Sequence, residues 1–263
     1  MDIGIVQSSP SFGEVTANLS DCFDLMASRA ADLWVLPELC ATGYQFLNVD
    51  EVRALAELVP CGLTTQTLIR WCSENSSYVV AGLPEIDGDH IYNAAVLVGP
   101  DGFVARYRKI HLFYEEKINF SPGDLPFTVV DIGIAKIGMM ICFDHLFPES
   151  ARSLALQGAD VICHPANLVL PDLAQQTMSI RALENGIYTA TANRIGTEAR
   201  AGESLTYTGL SQIVAPNGQA LVKLSQDRAE ASVVNIDIAQ ARSKAITKYN
   251  DKLADRRPSL YRL

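Results

Sequence analysis

The chain has 263 residues, of which 48 % are hydrophobic and 19 % are charged, and its net charge is −9 at pH 7. This composition is typical of a globular protein long enough to bury a large core, and it excludes a disordered chain. The negative charge argues against a nucleic-acid partner, because phosphate binding relies on Lys and Arg to displace counterions.

Strand-like and helix-like segments alternate along the whole chain, which is the pattern of an α/β core. The segments predicted as strands are residues 3–7, 33–36, 78–82, 92–98, 103–107, 127–131, 135–141, 161–164, 187–192, 209–215, 220–224 and 232–236. The segments predicted as helices are residues 18–30, 52–58, 65–74, 148–156, 172–184 and 238–248. Residues 252–263 are predicted to form an extended tail.

Three landmarks of the first half return in the same order in the second half. Residues 3–4 (Ile-Gly) return at 137–138, residues 31–37 resemble 159–165, and the turn at 100–102 returns at 216–218. This repetition predicts two similar α/β halves whose sheets pack face to face with helices outside. We therefore expect one domain, residues 1–263, with a four-layer α-β-β-α sandwich of two mixed sheets.

The first residues lack the basic start and long apolar stretch of a signal peptide, and no apolar run approaches the roughly 20 residues of a membrane span. The six cysteines lack the dense spacing of a disulfide framework and are most simply reduced thiols. We therefore expect a cytoplasmic protein that does not enter a membrane.

Three chemically active side chains follow predicted strands. Cys142 ends an apolar strand before a turn and a helix, a position that presents a nucleophile beside converging backbone N–H groups. Glu38 follows a strand broken by Pro37, and Lys109 follows the hairpin that turns at residues 100–102. Taken one at a time, a buried structural cysteine, a solvated loop carboxylate and a surface basic patch explain these residues better.

Taken together, these residues resemble the nitrilase superfamily of carbon-nitrogen hydrolases. The resemblance extends over nearly the whole chain and is specific for family and fold, but less so for substrate. The blocks that carry it are Pro37-Glu38 with Thr42-Gly43-Tyr44, then Tyr107-Arg108-Lys109-Ile110-His111-Leu112-Phe113 with Phe120-Ser121-Pro122-Gly123, then Ile141-Cys142-Phe143-Asp144 with Phe147-Pro148-Glu149, then His164-Pro165-Ala166-Asn167, Arg181-Ala182-Leu183-Glu184-Asn185 and Ala192-Asn193-Arg194.

The resemblance implies a role for each residue of the expected site. Cys142 attacks the amide carbon and carries an acyl thioester, while Glu38 moves the protons. Lys109 and the backbone N–H of Phe143 stabilise the charge on the substrate oxygen. Glu116 matches a second glutamate of many members.

Other features are less fixed by the resemblance. Glu115 is the alternative to Glu116 as the second glutamate, because the choice depends on how the loop is aligned. Tyr44, Phe143 and Asn167 are expected to contact the substrate. A homodimer or larger assembly is implied, with helices of neighbouring subunits packed together and residues 252–263 crossing the interface. Arg181 and Glu184, three apart on a helix, are expected to form a structural ion pair.

Several alternatives stay open at this point. Among substrates, a small aliphatic amide is favoured, with a small nitrile or an N-carbamoyl compound as the alternatives. Among other protein classes, a thiol redox sensor would need Cys163 near Cys142, and a non-catalytic scaffold would have no use for a buried Glu–Lys–Cys cluster. No cofactor or metal is expected, because the four histidines form no recognisable ligand pattern.

Overall fold

The computed structural model describes residues 1–200 and 202–261. Most strands belong to two six-stranded sheets. The first sheet contains β1 (Asp2–Gln7), β2 (Leu33–Val35), β3 (Tyr78–Asp87), β4 (His90–Gly99), β5 (Gly102–Arg108) and β14 (Glu230–Asn235). The second sheet contains β6 (Val129–Asp131), β7 (Lys136–Met139), β8 (Val161–Pro165), β9 (Tyr188–Ala192), β12 (Gln212–Val214) and β13 (Ala220–Lys223).

The remaining elements are two small hairpins and the helices. The hairpins are β10 (Thr197–Arg200) with β11 (Glu203–Thr206), and β15 (Ala245–Thr247) with β16 (Asn250–Asp251). The α-helices are α1 (Val15–Met26), α2 (Val49–Leu55), α3 (Leu63–Asn75), α4 (Glu116–Asn119), α5 (Pro148–Leu156), α6 (Leu173–Asn185) and α7 (Ile238–Arg242). Two 3-10 helices span Cys142–Leu146 and Pro258–Leu260.

The two sheets have the same internal design. Their strand orders are β14-β1-β2-β3-β4-β5 and β13-β12-β9-β8-β7-β6. In the first sheet β1, β2 and β3 run parallel, as do β7, β8 and β9 in the second, and the outer strands are antiparallel. The predicted repeat is therefore a structural one, since the repeated segments become β2 and β8, and both repeated turns close hairpins.

The layers follow from side chains that alternate across each strand. On β2, Leu33 and Val35 enter the core between the sheets, whereas Trp34 packs on the opposite face with Leu68 of α3. On the second sheet, the outward Ile162 packs with α5 and α6 in the same way. Because both faces of these strands are buried, their sequences are apolar throughout. The expected four-layer α-β-β-α sandwich of two mixed sheets is confirmed.

This topology brings several strand ends to one place. Strands β2 and β5 run in the same direction, because β4 lies antiparallel to both β3 and β5. Glu38 and Lys109 therefore follow the same edge of the first sheet. Cys142 and Asn167 follow β7 and β8, which are parallel neighbours in the second sheet. The face-to-face packing places these two edges together.

The structure differs from the sequence prediction mainly near the C-terminus. The helix predicted over 238–248 ends at Arg242, because Ser243 is extended and residues 245–251 form the β15–β16 hairpin. The predicted extended tail instead begins with turns and contains the second 3-10 helix, and its last two residues lie outside the described residues. The β10–β11 hairpin was also not predicted. In the described ranges, no helix is both long and apolar enough to cross a bilayer.

Candidate active site

A buried chain of charged groups lies at the shared edge of the two sheets. The Lys109 Nζ atom is 2.7 Å from Glu38 Oε1 and 2.7 Å from Glu116 Oε1. Tyr44 donates its hydroxyl to the same Glu116 oxygen at 2.7 Å, and the Phe113 backbone N–H donates to Glu116 Oε2 at 3.1 Å. Lys109 and Glu38 are fully buried. Glu116, rather than its neighbour at position 115, is therefore the glutamate that contacts the lysine.

Glu38 is placed by the close approach of β3. Gly82 donates its N–H to the Pro37 carbonyl and accepts the N–H of Cys40, so the chain around Glu38 is tied to that strand. A Cβ atom at Gly82 would lie 2.5 Å from the Glu38 Cα atom. Only a glycine permits this packing, and the backbone at Glu38 is consequently fixed on both sides.

Lys109 is held by its own backbone. Its N–H donates to the Asn93 carbonyl of β4, and its carbonyl accepts the Gly123 N–H, each at 2.8 Å. The preceding Arg108 is buried, stacks on the Tyr92 ring at 4.0 Å and forms a bidentate pair with the fully buried Glu85. These contacts anchor the end of β5 and leave the Lys109 side chain free to reach the carboxylates.

Cys142 occupies a strained turn between β7 and the 3-10 helix. Its φ of +42° lies in the left-handed region, which costs a non-glycine residue free energy. The Asp144 carboxylate stabilises the turn by accepting the Ile141 N–H and the Tyr107 hydroxyl, each at 2.8 Å. His164 Nε2 lies 2.9 Å from the Cys142 carbonyl oxygen and serves as its donor. The turn is therefore fixed by groups from three different segments.

The thiol has a protein acceptor on one side and an unused donor beside it. Cys142 Sγ lies 3.8 Å from the Asn167 carbonyl oxygen, within reach of a weak S–H hydrogen bond. The Phe143 backbone N–H makes no hydrogen bond to another of the described residues. Amides in the first turn of a helix have no intrahelical acceptor, so this N–H is available to a ligand.

Burial and charge together set the protonation of the cluster. Burial raises the pKa of the Cys142 thiol well above its usual value, and the Glu38 charge adds to this while Lys109 opposes it. Burial would lower the pKa of Lys109, but the adjacent Glu116 and Glu38 carboxylates outweigh burial and raise it. Burial also raises the pKa of Glu116 to about 7, against the opposing effect of Lys109. At neutral pH the thiol is protonated and the lysine is charged.

A small pocket opens beside Cys142 and is lined mainly by apolar side chains. The polar atoms of the Asn167 side chain are buried and have no partner among the described residues. The residues that line the pocket are Phe113, Cys142, Phe143, His145, Asn167, Leu168, Val169, Leu170, Leu173 and Ala174.

The structure places the residues predicted from the sequence in two groups. The hydrogen-bonded chain contains Glu38, Lys109, Glu116 and Tyr44. The charges of the two glutamates and the lysine change the pKa of the Cys142 thiol. Phe143 and Asn167 line the pocket beside Cys142.

The structural ion pair is confirmed as well. Arg181 and Glu184 are 3.0 Å apart on α6, and Arg181 also donates to the carbonyl of His145 in the 3-10 helix. This helix therefore supports the turn that follows the cysteine.

Three residues of the site were missed by sequence reasoning. Asn93 donates its side-chain amide to the Glu38 carboxylate. His164 donates to the Cys142 backbone carbonyl, as described above. Glu198 accepts the backbone N–H groups of Tyr44 and Gln45 and thereby fixes the tyrosine. His164 stood in a motif that resembles the family, but nothing in the sequence marked Asn93 or Glu198. Within residues 1–200 and 202–261, no three His, Cys, Asp or Glu side chains are arranged to hold a metal ion.

Comparisons with known proteins agree with this fold. The model of the carbon-nitrogen hydrolase family matches residues 3–245. A protein named nitrilase from Pyrococcus abyssi is 48 % identical over 262 residues, which cover 98 % of this chain and 98 % of that protein. An (R)-stereoselective amidase of a Pseudomonas species is 34 % identical over 98 % of this chain and 92 % of its own length.

A solved structure has the same fold as this chain. An amidase from Nesterenkonia sp. superposes with a TM-score of 0.81 at 27 % identity, covering 99 % of this chain and 94 % of that one. The protein is therefore a hydrolase of carbon-nitrogen bonds with the nitrilase fold. It belongs to the carbon-nitrogen hydrolase family of the nitrilase superfamily.

The buried His164 makes the stability of the protein dependent on pH. Burial lowers the pKa of His164 to about 3. An unfolded histidine titrates near pH 6.5, so below that pH the unfolded chain binds a proton that the folded chain does not, and stability falls towards pH 3. We expect His164→Gln, which can still donate to Cys142, to reduce the loss of unfolding free energy between about pH 7.5 and pH 5 by about 2 kcal/mol.

Urea unfolding at the two pH values measures this difference. His90→Gln is the matched control, because His90 is exposed and its replacement should leave the pH dependence unchanged. An equal loss of stability in wild type and His164→Gln would contradict the prediction.

Proposed function

We propose that the protein hydrolyses the amide bond of a small aliphatic amide to the carboxylic acid and ammonia, through an acyl thioester on Cys142. The observation that carries the proposal is the hydrogen bonding of the Glu38 carboxylate. Its Oε1 atom accepts from Lys109, whereas its buried Oε2 atom has no partner among the described residues. A carboxyl oxygen with free lone pairs in a closed site is suited to accept a proton during catalysis.

Acylation begins from a neutral thiol. Because burial and the Glu38 charge raise the pKa of Cys142, the thiol keeps its proton until the nucleophile attacks. As the sulfur bonds to the amide carbon, its proton passes to Glu38 Oε2. The negative charge that develops on the substrate oxygen is stabilised by Lys109 Nζ, which has a third N–H beyond its two carboxylate contacts, and by the Phe143 N–H.

Collapse of the tetrahedral intermediate breaks the carbon-nitrogen bond. Glu38 returns the proton to the departing nitrogen, ammonia leaves, and the acyl group stays on Cys142 as a thioester. A water molecule then gives one proton to Glu38 as its oxygen attacks the thioester carbon. When the carbon-sulfur bond breaks, that proton returns to the sulfur and the carboxylic acid is released. The net reaction is amide plus water to acid plus ammonia.

The hydrogen-bonding capacity of the site favours an amide over a nitrile. Glu38 Oε2 and Asn167 Oδ1 are buried acceptors without a partner among the described residues. The two N–H groups of a primary amide can satisfy such acceptors, but a nitrile has no donor and would leave them unpaired. A site with buried polar groups discriminates strongly against an analogue that cannot pair with them. The nitrile and the N-carbamoyl compound remain the alternatives to be tested.

Other features support a cysteine nucleophile over a thiol redox sensor. Cys163 is fully buried in the core between the sheets, and none of the charges or hydrogen bonds that act on Cys142 comes from it. A redox sensor that pairs these two thiols is therefore not supported. In the related Nesterenkonia amidase, a variant is known with acrylamide added at its active-site cysteine, which supports the assignment of Cys142 as nucleophile.

The first prediction concerns the nucleophile. Wild type mixed with short aliphatic amides should form an acyl adduct visible by intact-protein mass spectrometry and should release ammonia. Cys142→Ala should show neither, because the attacking sulfur is absent. Nitriles, ω-amides and N-carbamoyl acids in the same panel test the alternatives, and Cys163→Ala is the matched control that should behave as wild type. Ammonia release by Cys142→Ala at the wild-type rate would refute the role of this thiol.

The second prediction concerns the base. Glu38→Gln keeps the size of the side chain and an oxygen for Lys109, but it cannot accept a proton. General acid–base catalysis contributes on the order of 10²–10⁴ in rate, so turnover of the best amide should fall by about that factor. The same change at half-buried Glu115, which does not contact Lys109, should leave turnover unchanged. If Glu38→Gln remained active across the pH range, another group, with Glu116 next in line, would have to be the base.

The assembly is a further part of the proposal. We propose that residues 1–263 act as one domain, that the protein works in the cytoplasm, where thiols stay reduced, and that it forms a homodimer through α6 and the C-terminal segment. Leu183 of α6, Ile246 and Tyr249 are exposed apolar residues, and Leu183 and Ile246 line one groove. Apolar surface of this kind marks contacts between proteins.

We expect wild type to elute as a dimer and Leu183→Glu as a monomer in size-exclusion chromatography with light scattering, because a buried unpaired charge opposes association. Leu221→Glu, on the surface of β13, is the control and should remain dimeric. A monomeric wild type, or a dimer in both variants, would contradict this interface. If residues 252–263 also cross the interface, removing residues 258–263 should weaken the dimer.

A further inference from the structure

Asn93 lies between two of the proposed catalytic residues and touches both. It is in the middle of β4 and is 1 % exposed. Its side-chain Nδ2 atom donates to Glu38 Oε1 at 2.7 Å, and its backbone carbonyl accepts the Lys109 N–H at 2.8 Å. One residue thereby fixes the spacing of the carboxylate and the lysine.

The orientation of the Asn93 amide is determined by chemistry. An ionised carboxylate oxygen only accepts hydrogen bonds, so the NH₂ group rather than the amide oxygen must face Glu38. The amide oxygen, Oδ1, is buried and has no partner in the part of the chain that the structure describes. A buried polar atom without a partner costs free energy, and the only side-chain hydrogen bond of Asn93 in those residues is the one to Glu38.

The contact makes the two oxygens of Glu38 unequal. Oε1 accepts from both Asn93 and Lys109, while Oε2 has no hydrogen-bond partner in the described ranges. Two donors on one oxygen also restrict rotation of the carboxylate about its terminal bond. Without Asn93, Lys109 alone would hold Oε1, and a single contact permits the group to turn.

We propose that Asn93 is a positioning residue that holds the Glu38 carboxylate with Oε2 directed at the reaction and stabilises its ionised form. The inference rests on Glu38 being the base of the proposed function. The charged or titratable groups around this carboxylate are Lys109, Glu116, Cys142, Tyr44 and Tyr207, and Asn93 is a neutral donor among them. Its amide stabilises the negative charge of Glu38 and does not itself gain or lose a proton.

The central test uses Asn93→Leu, which keeps the approximate volume of the side chain and removes the donor. Without this donor the carboxylate can turn away from the thiol, and misplacement of a catalytic group costs up to about 100-fold, so kcat should fall on the order of 10- to 100-fold with little change in KM. Loss of the donor disfavours the ionised carboxylate, so the acidic limb of the pH–rate profile should move to higher pH. A purely structural role would lower the amount of folded protein without moving this limb.

A second readout does not require the substrate to be known. The rate at which iodoacetamide alkylates Cys142, followed by mass spectrometry across pH, reports how readily Glu38 takes the thiol proton. In Asn93→Leu we expect slower alkylation and the same shift of the acidic limb. If wild type is alkylated at Cys142 but hydrolyses none of the panel, the proposed substrate is wrong, and the alkylation profiles still decide the role of Asn93.

Two further variants keep the test decisive. Asn93→Asp has the shape of asparagine but places a second carboxyl group against Glu38, so the pair should retain a proton and shift the acidic limb further than leucine does. Asn185→Leu is the matched control, because Asn185 is also buried with an unpartnered Oδ1 among the described residues but lies at the end of α6. Its pH profiles should equal those of wild type. Folded Asn93→Leu or Asn93→Asp with wild-type profiles in both assays would overturn the proposal.

Discussion

The structure depends on keeping the Lys109 ammonium charged inside a dry interior. Its neighbours are two carboxylates at 2.7 Å, and all three side chains are almost completely buried. Removing such ions from water costs several kcal/mol each, and only close pairing with further hydrogen bonds offsets the cost. The cluster therefore cannot tolerate loose geometry, and the surrounding structure has to fix three charged side chains from separate parts of the chain.

The two-sheet architecture provides this precision. Strands carry the charged groups to one edge, and backbone contacts then fix each of them: Gly82 beside Glu38, Gly123 beside Lys109, and a histidine on the Cys142 carbonyl. Sites on the ends of regular elements are positioned more accurately than sites within long loops. Each half of the chain builds most of one sheet. The acid–base groups come from the first half, and the thiol comes from the second. Packing of the two halves thus assembles the site.

The sequence predicts the parts of this arrangement that depend on local pattern. The buried strands, the two Pro-x-Gly turns and the residues in family-like motifs were all identified, because alternation, turn chemistry and motif spacing are local signals. Asn93 was not, since its bond to Glu38 joins residues 55 positions apart and its strand looks like any other. The β10–β11 hairpin and the break of α7 at Ser243 were missed for a related reason. Their conformations depend on contacts with distant segments more than on local propensity: Arg200 of β10 pairs with Glu51, and the Lys244 ammonium donates to the Gly186 carbonyl.

The unpaired polar atoms link the stability of the fold to its chemistry. Twelve buried side-chain nitrogen or oxygen atoms lack a partner in the described residues, and four of them belong to Glu38, Asn93 and Asn167. A polar group that stays without a hydrogen-bond partner in a protein interior costs about 1–3 kcal/mol. The left-handed conformation of Cys142 costs free energy as well. These costly groups lie where the proposed chemistry takes place, so the requirements of the site oppose those of stability. A ligand of the proposed kind, which has N–H groups, would pair with Glu38 and Asn167 as it binds.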